Sequence, residues 1–121
     1  MTLEELQKQA LSQIGGDQED MGDAEPGLTR YLNEGYDRLL FAMNGMHVSD
    51  DGAFLPLRHG RAEPELPQWA HPAIADFASW RLCMGGPLAR QARGAAFRQS
   101  FEQAESRLRL NPGAYFRGIP L

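Results

Sequence analysis

The sequence predicts an all-α protein: a small bundle of about four helices with a long C-terminal helix and an extended tail. Two observations carry this expectation. Apolar residues recur at three- and four-residue spacing in four separate stretches, and Gly-Gly, Gly-Pro and Asn-Pro-Gly clusters punctuate the chain between and after them. A length of 121 residues suits one domain. The expected layout is a helical domain over 1–111, with an acidic loop at 15–27 and a connector at 47–66, followed by a tail at 112–121.

The first helix is marked by Thr2 and Glu5, whose spacing makes a capping box in which each side chain satisfies an end amide. Leu3, Leu6, Ala10 and Ile14 then form its apolar face, and Gly15-Gly16 stops it. Residues 17–27 are acidic and nearly devoid of apolar side chains, which predicts a solvated loop. Their spacing does not fit a calcium loop. The second helix is expected from about Leu28 to Met46, with Leu28, Leu32, Gly35, Leu39, Met43 and Met46 on one face. Arg30, Glu34 and Asp37 point away. Phe41 falls with them, and two readings stay open: a core wider than one stripe, or a contact with another subunit.

In the connector, Asp51-Gly52 between Val48 and Phe54-Leu55 has the form of a tight turn between two short strands. Pro64 and Pro67 punctuate the remainder. The third helix is expected to begin at His71-Pro72, because proline is favoured in the first helical turn. Ile74, Phe77, Ala78 and Leu82 give its buried face. Arg81 shares that face, so either its stem covers the core edge or its guanidinium meets a partner. Gly85-Gly86-Pro87 ends this helix. The fourth runs from about Pro87 to Leu110, with Phe97, Phe101, Ala104 and Leu108 as its seam. Carried upstream, that seam meets Arg93 and Arg90, which predicts that the first half of the helix leaves the core. The exposed pairs Arg98–Glu102 and Glu105–Arg109 are each worth about 0.2–0.5 kcal/mol. Beyond Asn111-Pro112-Gly113, the tail carries Tyr115, Phe116, Ile119 and Leu121.

Net charge is -4 at neutral pH, but it is unevenly placed. Residues 1–27 hold seven acidic side chains against Lys8, whereas residues 66–121 hold seven arginines against Asp76, Glu102 and Glu105. Opposite ends can pair within one molecule or between copies arranged head to tail. The single cysteine, Cys83, leaves no intrachain disulfide and points to a reducing site of synthesis. The opening MTLEELQKQ lacks the character of a secretory signal, and no apolar run reaches the length of a membrane span.

Catalytic chemistry is not expected. His47, His59 and His71 lack the spacing of a zinc site, and no phosphate loop, dinucleotide fingerprint or nucleophile elbow is present. Neither cofactor nor metal is expected. Arg90, Arg93 and Arg98 could meet nucleic-acid phosphate, which makes a small helical DNA-associated or regulatory protein, such as a DNA-packaging component, the alternative reading.

Taken in order, these features resemble the head-tail connector (adaptor) proteins of tailed bacteriophages. The similarity is chiefly in Leu66–Leu110, where Ile74-Ala75-Asp76-Phe77-Ala78-Ser79-Trp80-Arg81-Leu82 is followed by a small break and a long helix with Phe97 and Phe101. Leu28–Met43 looks like that family's preceding helix. The resemblance implies a subunit of a homo-oligomeric ring, commonly of twelve copies, at the capsid–tail junction of the virion. Portal protein would lie on one side and a tail or stopper protein on the other. DNA would pass through the lumen without sequence-specific contacts. Within this reading Tyr115, Phe116, Ile119 and Leu121 anchor in a partner's groove, while Arg90, Arg93 and Phe41 are further partner contacts.

Overall fold

The computed structural model describes residues 1–15, 18–49 and 54–110, and for 18–26 the backbone alone. Four helices make the bundle: α1 (Leu3–Gln13), α2 (Gln18–Asn44), α3 (His71–Cys83) and α4 (Leu88–Leu110). A single 3-10 turn, Gln68–Ala70, leads into α3.

The start of α1 is set by its capping box. Glu5 N donates to Thr2 Oγ1 at 3.2 Å and Thr2 N donates to Glu5 Oε1 at 2.9 Å, which satisfies two otherwise free end amides. These bonds hold the Glu5 carboxyl below its ordinary pKa. Gly15, at φ +78, takes the left-handed conformation that ends the helix.

Helix α2 corrects the sequence expectation at both ends. It begins at Gln18, so residues 18–27 are helical where an acidic loop is expected. At the other end Gly45, at φ +74, terminates the helix. Asn44 Oδ1 accepts from Met46 N at 2.9 Å. Met46 therefore lies outside the helix and is exposed, not part of its buried face. Leu28, Leu32, Leu39 and Met43 are buried as expected, joined by Tyr36 and Leu40.

Helix α3 is the centre of the molecule and packs against the other three. Its burial extends beyond the one face expected: His71, Ala73, Ala75, Ser79 and Cys83 are enclosed together with Ile74, Phe77 and Ala78, whereas Leu82 is only half-buried. A helix buried on most sides needs small or apolar residues all round, which the sequence supplies through alanines at 73, 75 and 78. α4 runs antiparallel to α3: Gly94 meets Cys83, Phe101 meets Phe77 (centroids 5.0 Å apart), and Arg107 lies 3.9 Å over Trp69. Only Gly94, Phe101 and Leu108 of α4 are fully buried, with Phe97 and Ala104 half-buried, and Arg90 is exposed where the seam runs upstream.

No strand forms among the described residues of the connector; a lone Ser49 N–Phe54 O bond at 2.9 Å spans the segment where a hairpin is expected. The backbone here is recruited by α2 side chains instead. The Asp51-Gly52 turn lies outside the described residues, as does the tail 111–121.

Candidate docking surface

The arginines of the C-terminal half are built into the fold to different degrees. Gly94 lets α4 approach α3 closely, because a Cβ there would lie 2.8 Å from the Cys83 Cβ. Arg90 and Arg93 emerge beside this approach. Their charges oppose the rise that burial gives the Cys83 thiol pKa. Arg93 Nη2 donates to Gln13 O at 2.7 Å and so satisfies a free carbonyl at the end of α1. Arg90 stays exposed, its stem lying across Gly86. Arg98 pairs with Glu102 at 2.8 Å and covers the Trp80 ring at 5.1 Å. Within the chain, the Arg81 guanidinium reaches Glu34 at 3.3 Å and sits 4.9 Å from the Tyr31 ring centroid.

Phe41 is 51 % exposed and stacks on the His47 ring with centroids 4.6 Å apart. Helix α2 lies alongside α4 at Arg38, whose guanidinium bonds Glu105 Oε1 at 3.0 Å and lies over Phe101. Arg93 is eight residues upstream of Phe101, about 12 Å along the helix. The structure thus brings Arg90 and Arg93 together and leaves Phe41 at the opposite end. Tyr115, Phe116, Ile119 and Leu121 lie outside the described residues.

Beside Phe41 an open groove of about 750 Å³ runs between α2 and the connector, lined by Thr29, Asn33, Asp37, Val48, Leu57 and Arg58 among others. Its polar groups are already engaged. Asn33 accepts from Leu57 N at 2.7 Å and donates to Leu57 O at 3.0 Å. Asp37 accepts from Val48 N at 2.7 Å and bonds His47 Nδ1 at 2.9 Å. Sequence reading set Asp37 on the solvent side and passed over Asn33. The available signal was their i, i+4 spacing on one flank of the helix, next to a proline-punctuated segment whose backbone needs partners.

A second polar knot joins α1 to α3. Ser79 Oγ contacts Gln13 Oε1 at 2.6 Å and Ala10 O at 3.1 Å, and Gln13 Nε2 donates to Asp76 Oδ1 at 2.9 Å. Burial raises the Asp76 carboxyl above its ordinary pKa. Neither acceptor of the serine proton is a base, so this arrangement ties helices together and does not activate a nucleophile. Nor do the described residues contain a group of three His, Cys, Asp or Glu side chains able to hold a metal ion. No helix among them is long and apolar enough to cross a membrane.

Among the described residues, the outer side of α4 is left uncovered. Opposite the Phe101–Leu108 seam runs a face from Leu88 through Gln99 to Leu110, whose end residues are 83 % and 80 % exposed. Sequence reading missed it, because only the buried seam was traced. Compared with protein-family models, curated proteins and solved structures, the chain gives no match to any of the three.

Proposed function

We propose that this chain is a structural subunit that binds other protein subunits, and specifically a head-tail connector of a tailed bacteriophage. In this reading copies form a ring between the portal and a tail or stopper protein, DNA passes through the lumen, and the chain catalyses nothing. The observation that supports it most is the asymmetry of α4. The helix is anchored along one side, with Phe101 and Leu108 fully buried, while Leu88 and Leu110 stand more than three-quarters exposed at its two ends. A long helix with a second, uncovered side is what a subunit needs to meet neighbours. The polar side chains Asp37, His47, Asp76 and Ser79 are each engaged within the fold, Asp37 with Val48 N and His47, Asp76 with Gln13 and Ser79 with Ala10 O.

The tail residues Tyr115, Phe116, Ile119 and Leu121 supply aromatic and aliphatic anchors of the kind that fill partner pockets. The decisive measurement is the mass of the chain in solution, alone and mixed with a candidate portal protein. A complex formed with the portal supports the reading, and deleting residues 112–121 is expected to abolish it while leaving the helical circular dichroism intact. A chain that ignores every phage structural partner refutes it. The exposed Arg90 favours one competitor, a DNA-associated protein: duplex binding that weakens steeply with salt would promote that account.

A further inference from the structure

We infer that the outer face of α4 is a self-association surface on which two copies of the chain pair antiparallel about a two-fold axis at Gln99. The face has a register that repeats in both directions from Gln99: Ala95 and Gln103 are four residues away, Ala92 and Ser106 seven, and Leu88 and Leu110 eleven. All seven positions are exposed, and none carries a charge. At 100° per residue they fall within one narrow stripe opposite the buried seam. An isologous contact requires this self-complementarity, since residue i must meet residue j while j meets i. The two-fold sets Leu88 against the second copy's Leu110, Ala92 against its Ser106, and Ala95 against its Gln103. Large side chains thus close both ends, while small ones allow the helices to approach between them.

Charge and shape agree with the same partner. Arg98 and Glu102 lie on one flank near the axis, paired at 2.8 Å. The two-fold brings each copy's Glu102 within about two residues' rise of the other copy's Arg98, so opposite charges can pair across the centre. Arg107 and Arg109 come level with Gln91 and Ala89 of the second copy, so like charges do not meet. A shallow groove of about 440 Å³, lined by Gln99, Gln103, Ser106 and Leu110 among others, occupies the second half of the face. The first half of the second copy's face would fill it. The helix spans 23 residues, about 35 Å. One helix face of that length offers less than the roughly 800 Å² per partner of a stable interface, so the pair forms in a concentration-dependent equilibrium. It closes on two copies, and ring assembly would exchange this pairing for contacts between neighbouring subunits on the same face.

Sedimentation equilibrium of the full chain, without portal, tests this. The expected result is a monomer–dimer equilibrium. Leu88→Lys or Leu110→Glu alone should weaken it at least about tenfold, as loss of a buried leucine contact implies. Combining both restores it, because each introduced lysine meets the other copy's glutamate. Mild oxidation should link Gln99→Cys into a covalent dimer and leave Gln103→Cys unlinked. A monomer at every concentration overturns the inference. So does an oligomer indifferent to both leucine substitutions, whether it is a ring or a dimer on another face. Restoration of a weakened Leu88→Lys dimer on deleting 112–121 would instead place the chain's own tail on this face, and would overturn it too. None of these outcomes bears on portal binding, which is measured separately.

Discussion

Gly35 marks a close approach of α2 to α3, since a Cβ built there would lie 2.9 Å from the Phe77 Cβ. In an exposed helix, Gly→Ala gains up to about 1 kcal/mol of propensity. Here the added methyl has nowhere to go, because Phe77 is itself enclosed by Trp80 and Phe101. Gly35→Ala is expected to destabilise by about 1–3 kcal/mol, the ordinary cost of overpacking, as a lower urea midpoint would show. His71 offers a second residue-level test. It is buried, with Nε2 2.9 Å from Leu66 O and Nδ1 2.7 Å from the Met1 α-amino nitrogen. Burial lowers its pKa below the ordinary histidine value. The unfolded chain therefore binds a proton here more readily than the folded one. Stability from this residue is fully present above pH about 6.5 and declines as pH falls from there toward the lowered folded-state pKa. Unfolding free energy measured from neutral to mildly acidic pH should carry this slope, and His71→Gln should remove its contribution.

At the scale of elements, the connector is held by side chains of α2, with no strand ladder among its described residues. Asn33 imitates a backbone pair toward Leu57, and Asp37 accepts from Val48 N with His47 beside it. Tyr36 adds a third clamp, its hydroxyl accepting from Glu65 N at 3.0 Å. Asn33→Ala leaves the amide and carbonyl of a nearly inaccessible Leu57 unpaired, a loss of about 1–3 kcal/mol. Amide exchange at Leu57 is expected to accelerate in this variant, while exchange within α3 and α4 changes less. Equal acceleration everywhere would mean that the connector and the bundle open as one unit. The four helices were legible because their apolar spacing reports local geometry directly. The connector was not, since the strand-like pattern around Asp51-Gly52 says nothing of distant α2 side chains that compete for the same backbone groups.

For the whole molecule, the main asymmetry is that α4 is fixed by one seam. Phe101 is fully buried between Phe77 and Arg38, so Phe101→Ala is expected to cost about 3–5 kcal/mol. Leu88→Ala, on the opposite face, should change stability of the dilute chain by less than about 0.5 kcal/mol. Thermal or urea unfolding of the two variants tests this one-sided attachment: a large loss for Leu88→Ala would mean that its face is covered within the monomer. The sequence identified the seam through Phe97, Phe101, Ala104 and Leu108 and set Arg90 and Arg93 outside it, but its expectation that the first half of α4 leaves the core fails at the buried Gly94, which packs on Cys83. It could not assign Arg93 to the end of α1 or Arg81 to Glu34 and Tyr31. Those partners lie 80 residues away in the first case and 47 or more in the second.

By itself the amino-acid order determined the number of helices, the cap and stop of α1, the break before α4 and which side of α4 is buried. Periodicity and punctuation act over a few residues, and the backbone answers to them locally. Tertiary structure decided the rest: that α3 is enclosed on most sides, that polar side chains of α2 bind down a connector whose described residues form no strand, and that most of the described arginines already have partners. These outcomes depend on which groups meet once the helices pack, and the free energy of such contacts is set by burial and hydrogen-bond geometry that no single stretch of chain contains.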